Sequence, residues 1–304
     1  MRILVTNDDG VSAPGLAALT RALVAWNESS HHGHQIVVAA PSSNYSGAGA
    51  AVGSVTDHTV IGYQRAVVAG AESVEAYGLD ASPALSVIAG ALGAMGPKPD
   101  LVLSGINHGV NVGRSILHSG TVGAALTASQ LGISALAVSL RAGATPDPWE
   151  SAADLAIALI EPLCEAPTRT VLNLNVPALP LVEIRGVRWA RVSGAGLIKS
   201  ASGLGAWDAP NRPEMEGPAA AEAAASFMEG GPAEKGEIVL TVGSPFPRSD
   251  DADLADHTED AALVAQGYAA LTALRGPRAD EDPELIGLLD QGLVHALGRF
   301  GFPG

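Results

Sequence analysis

The first forty residues admit few folds. Arg2 to Thr6 (RILVT) is a short run of aliphatic and β-branched residues that stops at a polar turn, Asn7-Asp8-Asp9-Gly10. A run of that length bounded in this way predicts a buried strand. From Pro14 to Asn27, Leu16, Leu19, Leu23 and Trp26 recur at helical spacing, which is one face of an amphipathic helix. Ile36 to Ala40 is a second apolar run, ended by Pro41-Ser42-Ser43-Asn44. Strand, helix and strand in this order form a βαβ unit, whose crossover is right-handed and whose two strands are parallel.

The next 130 or so residues continue the alternation. Residues 59–77 alternate loosely and hold two short strands. Ser82-Pro83 has the form of an N-cap followed by proline at the first helical position, which predicts a helix through Met95, ended by Gly96-Pro97. Leu101 to Ser104 reads as a buried strand followed by a long polar loop, Gly105 to Ser119. Gly120 to Leu131 reads as a helix, Ile133 to Ser139 as a strand, Pro148 to Leu163 as a helix and Val171 to Leu174 as a strand. Strands and helices alternating at this spacing predict a mostly parallel sheet covered on both faces, a Rossmann-like three-layer α/β sandwich. From Glu183 the pattern changes. Ile184 to Val192 is strand-like, Ser193 to Pro232 is rich in Gly, Ala and Pro without a period, and Ile238 to Val242 is a strand. Asp260 to Leu274 reads as a helix and strand returning to the body, and Glu284 to Phe300 as an amphipathic tail helix. The division expected is an α/β core over 1–192, an extended variable segment over 193–260, and returning elements with a tail over 261–304.

Composition removes several function classes. The chain carries 17 Lys and Arg against 32 Asp and Glu, a net charge of −15. A grip on polymeric nucleic acid needs a basic face, so no polymeric DNA or RNA partner is expected. A small phosphorylated substrate stays open, because one metal ion supplies local positive charge. Cys164 is the only cysteine, which leaves no intrachain disulfide and no multi-cysteine zinc site. The longest weakly polar stretch, Ala84 to Gly96, is 13 residues with three glycines, against about 20 needed to cross a bilayer. No membrane partner is expected, and the opening lacks the pattern of a secretory signal. The localisation expected is cytoplasmic.

In an open parallel sheet, ligands bind outside the carboxyl ends of the strands. Asn7-Asp8-Asp9-Gly10, Asn44-Tyr45-Ser46-Gly47 and Ser104-Gly105-Ile106-Asn107 each follow a strand, and Ser119-Gly120-Thr121 opens a helix. Two neighbouring carboxylates with amide and hydroxyl oxygens make a hard, all-oxygen environment suited to Mg²⁺, Mn²⁺ or Ca²⁺. The same aspartates also read as an ordinary turn with one side chain capping the following helix. Ser119-Gly120-Thr121 can receive a phosphate at a helix N-terminus, or be a plain N-cap. His31-His32-Gly33-His34 reads as a solvated surface turn, and His118 as a packing or rim residue.

Taken together, these segments resemble the survival-protein SurE family of metal-dependent nucleotidases. The resemblance rests on MRILVTNDDGVSAPGL (1–16), APSSNYSGAG (40–49), PDLVLSGINHGVNVG (99–113), HSGTVGAAL (118–126) and LNLNVP (172–177), in the family's order and at similar spacing. It covers 1–192 well and the remainder thinly, although Gln266-Gly267-Tyr268 through Leu274 resembles the family's last core strand. The resemblance implies one divalent cation per subunit (Mn²⁺, Mg²⁺ or Ca²⁺) held by Asp8, Asp9, Ser46 and Asn107. It implies Asp8 and Asn44 as catalytic groups. It also implies a phosphate and substrate side made of Asn44, Gly47, Asn111, Ser119, Gly120 and Thr121. The activity implied is hydrolysis of nucleoside 5′- and 3′-monophosphates, a small-molecule phosphomonoester substrate. The assembly implied is a homodimer or homotetramer that exchanges C-terminal elements.

The chain departs from the family in places. Ser42-Ser43 stand where Asp-Arg is usual, and Tyr45 where a basic residue is frequent, so the site loses positive charge. Two further readings follow, a phosphatase retuned to another phosphomonoester and a catalytically weak nucleotide-binding relative. A dinucleotide-binding enzyme fits poorly, because the turn after the first strand carries two carboxylates in place of G-x-G-x-x-G. In the mechanism expected, Asp8 orients or deprotonates the attacking water. Asp9 acts mainly as a ligand, and Asn44 and the Ser119–Thr121 amides stabilise the phosphoryl group.

Overall fold

Strand β1 (Arg2–Thr6) is buried along its whole length and lies near the middle of the sheet. Its side chains alternate between two cores. Ile3 and Val5 pack with Leu16 and Leu19 of helix α1 (Pro14–Ser30), while Leu4 packs on the opposite side with Val87 and Val122. Side chains of this size stabilise the fold by roughly 1.5–3 kcal/mol each when fully buried. The alternation is what a strand covered on both faces requires. The structure is a computed structural model, and it describes residues 1–31, 33–56, 58–194, 196, 198–202, 239–242, 244–246 and 258–276.

The other elements of the sheet are β2 (Gln35–Pro41), β3 (Tyr63–Ala66), β4 (Glu75–Leu79), β5 (Leu101–His108), β6 (Ser134–Leu140), β7 (Val171–Val176), β8 (Val187–Trp189) and β11 (Ala269–Leu274). Their order is β3-β4-β2-β1-β5-β6-β7-β11-β8. Only β3 against β4 and β11 against β7 are antiparallel. Helices α1 and α4 (Trp149–Ala158) pack together on one face. Helices α2 (Pro83–Ala91) and α3 (Gly120–Gln130) pack together on the other. The three-layer α/β sandwich with a mostly parallel sheet is therefore the observed architecture. Strands β9 (Ile198–Ser202) and β10 (Val239–Val242) form a separate antiparallel pair. Residues 1–274 form one compact unit.

Several boundaries differ from expectation for identifiable reasons. Ser82 caps α2 as expected, its hydroxyl accepting from the Leu85 amide at 3.2 Å, but the helix closes at Ala91. Gly93 there has φ +96°, a conformation that ends a helix at little cost. The helix expected over 148–163 is two, α4 and α5 (Ile160–Glu165). Pro162 has no N–H for the carbonyl four residues back, Ala158, which is where α4 ends. Strand β5 runs four residues beyond Ser104, following its partner β6 through Asn107↔Ser139 and His108↔Leu140. The polar loop expected from Gly105 therefore begins as strand and later holds a 3₁₀ turn, Gly113–His118. Of the strand expected over 184–192 only the exposed edge strand β8 forms. The tail helix expected over 284–300 lies outside the described residues, as does most of 193–238.

The returning segment is locked in by one buried acid. Asp260 opens helix α6 (Asp260–Ala265) and is fully buried. Its carboxylate accepts from the amides of Gly113 and Ser193, both at 3.0 Å, and of Ala261 at 2.8 Å. It thus ties α6 to the loop between β5 and α3. Asp260→Ala leaves these buried N–H groups without an acceptor, and the expected loss is about 3 kcal/mol of unfolding free energy, read by urea denaturation. A loss within ±0.5 kcal/mol would show that the lock does not hold this segment.

Candidate active site

Four segments far apart in sequence meet at the carboxyl edge of the sheet around Asp8 and Asp9. The turn after β1 is pinned by Asn7, which is buried. Its Nδ2 donates to the Gly10 carbonyl at 2.9 Å and its Oδ1 accepts from the Gly10 amide at 3.2 Å. The loop after β2 closes over this turn. The Tyr45 amide donates to the Asp8 carbonyl at 2.7 Å, and Asn44 Nδ2 lies 3.4 Å from Asp9 Oδ1. From the end of β5, the His108 amide donates to Asp9 Oδ2 at 3.1 Å. From the start of α3, the Thr121 hydroxyl donates to Asp8 Oδ1 at 2.5 Å.

The remaining candidate residues belong to the same four segments or to the loop that follows β5. Ser46 and Gly47 are exposed on the β2 loop, and the Ser46 amide donates to Asn44 Oδ1 at 2.8 Å, which sets the Asn44 rotamer. Asn107 donates from Nδ2 to the Gly109 carbonyl at 2.7 Å, which orients its amide and leaves Oδ1 as the acceptor. Gly120 packs directly on Asp8. A Cβ there would stand 2.7 Å from the Asp8 Cβ and 2.9 Å from Oδ2, so no larger residue fits without moving the carboxylate. Ser119 is the N-cap of α3, its hydroxyl accepting from the Val122 amide at 3.1 Å. Its own amide donates to the Ile116 carbonyl, and the Thr121 amide points at the Asp8 carboxyl. Thus the capping reading of Ser119 holds, and α3 directs its positive end to this edge.

Asn111 has different surroundings. It is buried, its Nδ2 donates to Ser139 Oγ at 2.8 Å, and its amide donates to Asn175 Oδ1 at 2.7 Å. Its carbonyl accepts from Asn173 at 2.9 Å and Asn175 at 3.0 Å. This cluster holds the loop that leads from Asn107 to Ser119, and it gives the two asparagines of LNLNVP a visible task. Asn111 makes no hydrogen bond to Asp8 or Asp9.

Burial pushes the Asp8 carboxyl above its ordinary value; the like charge of Asp9 adds to the rise, and the Thr121 hydroxyl opposes it. Two carboxylates are thus held side by side at a cost that a dication removes. Among the described residues, no three or more His, Cys, Asp or Glu are placed so that they alone could hold a metal ion. The donor set here is two carboxylates with amide and hydroxyl oxygens, the chemistry of Mg²⁺, Mn²⁺ or Ca²⁺ and not of zinc. The residues present fit such an ion.

Sequence reasoning missed the groups on the outer side of Asp9. A cleft of about 450 Å³ opens there, lined among others by Ser12, Ser42, His108, Asp147 and Trp149. Asp147 and Trp149 follow a Pro-rich loop with no motif to mark them. Of the surface histidines, His34 packs its ring on Trp26 and its Nδ1 lies 3.2 Å from the Met1 amino group. His118 is exposed at the rim, and its carbonyl accepts from the Gly49 amide.

Fold and site together define an α/β protein with a paired-carboxylate site at the carboxyl edge of its sheet. The family model for survival protein SurE matches residues 3–197. The 5′-nucleotidase SurE of Pseudomonas putida is 43% identical over 194 residues, 63% of this chain and 71% of that protein. The 5′-nucleotidase SurE of Aeromonas hydrophila is 33% identical over 276 residues, 90% of this chain and 92% of its own length. The crystal structure of SurE from Aquifex aeolicus superposes with a TM-score of 0.68 at 26% identity, covering 95% of this chain and all of that one. The chain belongs to the SurE family.

Proposed function

We propose that this protein is a phosphatase that hydrolyses nucleoside 5′- and 3′-monophosphates to nucleoside and phosphate, using one divalent cation per subunit. The observation that carries the reading is the convergence of the β2 loop, the end of β5 and the start of α3 on Asp8 and Asp9. The names of the relatives, 5′-nucleotidase and 5′/3′-nucleotidase SurE, give the substrate class. Asp8, Asp9, Ser46 and Asn107 would hold the cation, which supplies positive charge beside the phosphoryl group and acidifies water.

The chain's own groups do the rest. Asp8, held by Thr121 on Oδ1, orients the attacking water and takes its proton. The water oxygen bonds to phosphorus while the phosphorus–oxygen bond to the nucleoside breaks, and the departing nucleoside oxygen takes a proton from solvent. Asn44 Nδ2 and the Gly120 amide donate to the phosphoryl oxygens as charge develops there, while the Thr121 amide and hydroxyl hold Asp8. Gly47, at φ +85°, lets the β2 loop turn beside Ser46, and Asn111 sets the path of the loop after β5.

A second reading, a phosphatase retuned to another phosphomonoester, is favoured by Ser42-Ser43-Asn44-Tyr45, a stretch with no basic side chain. One experiment separates the readings, phosphate release from nucleoside monophosphates, sugar phosphates and p-nitrophenyl phosphate with Mn²⁺, Mg²⁺ and Ca²⁺. Metal-stimulated release with nucleotides preferred is the expected result. Preference for another class supports retuning, and no stimulated release from any substrate would leave only a nucleotide-binding relative. Among the described residues no helix is long and apolar enough to cross a membrane; a cytoplasmic location is part of the proposal. The assembly proposed is a homodimer or homotetramer, which light scattering on the purified chain tests.

A further inference from the structure

We propose that the cleft beside Asp9 receives the nucleoside part of the substrate, with the planar base stacked on the indole of Trp149; the inference rests on the nucleotidase reading above. The cleft's volume of about 450 Å³ falls within the range of small-molecule sites, roughly 300–1,000 Å³. A phosphate alone would leave most of it filled with water. Its outer wall is aromatic and held in place. Trp149 starts α4 and packs partly against the core under α1. The His108 ring lies beside it, centroids 5.5 Å apart and planes at 48°. His108 Nε2 in turn is 3.1 Å from Asp147 Oδ2, which fixes the ring's orientation.

The same His108 joins this wall to the carboxylate pair, because its amide donates to Asp9 Oδ2. Asp9, His108 and Trp149 thus line one cleft, so a substrate whose phosphoryl group sits at Asp8 and Asp9 has the aromatic wall on the Asp9 side. Ser12 and Ser42 also line the cleft; the Ser42 hydroxyl donates to Asp80 Oδ1 at 2.7 Å and keeps its oxygen as an acceptor for a ribose hydroxyl. Stacking uses the π face that every base has, so the cleft takes purine and pyrimidine nucleotides alike and disfavours phosphomonoesters without a ring.

The test compares AMP with ribose 5-phosphate, which carries the same ester without the base, in the wild type, Trp149→Ala and Trp149→Phe. The expected result is a fall of about tenfold in the AMP to ribose 5-phosphate ratio of kcat/KM for Trp149→Ala, carried by KM, with the ratio restored by Trp149→Phe. Purely structural damage lowers both substrates together, and an unchanged ratio overturns the proposal. Titration calorimetry with adenosine gives a readout free of catalysis, and Trp149→Ala should weaken its Kd about tenfold. If the wild type binds adenosine through Trp149 but hydrolyses no nucleotide, the nucleotidase reading fails and the subsite stands. If it hydrolyses AMP and Trp149→Ala alters neither the ratio nor adenosine binding, the subsite fails and the nucleotidase reading stands.

Discussion

Asp8→Asn is expected to lower kcat for metal-stimulated phosphate release roughly 10²- to 10⁴-fold, the range for removing a positioned general base, while the chain stays folded. Asparagine has the same shape, and its Oδ1 can still accept from the Thr121 hydroxyl, so the packing against Gly120 survives. Stability should move the other way. The Asp8 carboxyl is raised, chiefly by burial, so the folded state binds its proton more tightly than the unfolded chain does. Its contribution is therefore fully favourable below the ordinary carboxylate range and is lost as pH rises through the raised value. In the absence of divalent cation, Asp8→Asn should melt above the wild type near pH 7, and the difference should vanish on acidification. Thermal melts across pH and steady-state kinetics with Mn²⁺ check both arms. Wild-type turnover with full metal dependence in the variant would defeat the role assigned to Asp8.

Gly105→Ala is expected to destabilise the protein by at least about 3 kcal/mol. Gly105 has φ +140°, where side chains are rarely tolerated, and a Cβ there would stand 2.3 Å from the Val138 carbonyl oxygen on β6. Neither backbone can yield without breaking the β5–β6 register that carries Asn107 opposite Ser139. Asn107, proposed to hold the cation, lies two residues away, so activity should fall with stability. A urea midpoint equal to the wild type's would show that the strands adjust around the methyl group.

Much of this molecule can be read from local pattern. RILVT, the Leu16–Trp26 stripe and IVVAA became β1, α1 and β2 because burial on two faces and burial on one leave different periodicities. The limits of α2 and α4 were missed because they depend on single backbone choices, a left-handed Gly93 and a proline at 162, inside sequences that otherwise look helical. At the site, the four clusters were visible as motifs, but their contacts were not. The hydroxyl of Thr121 reaches Asp8 across 113 residues, and no spacing rule encodes that distance. Ser119 could be read as cap or phosphate ligand, and only the Ile116 and Val122 partners decide what its own atoms do. Asp147 and Trp149 carried no signal, because an aromatic wall after an irregular loop acquires meaning only from what it faces.

The long sequence separations around the two aspartates also bear on how the chain matures. Asp9 is bonded to a residue 99 positions downstream and Asp8 to one 113 downstream, so these links close only after distant strands have docked. A partly collapsed chain, however helical, lacks them. Dication affinity and phosphate release should therefore recover last on dilution from denaturant, trailing the far-ultraviolet signal, and a nascent chain that has not yet delivered α3 should be inert toward the nucleotides around it.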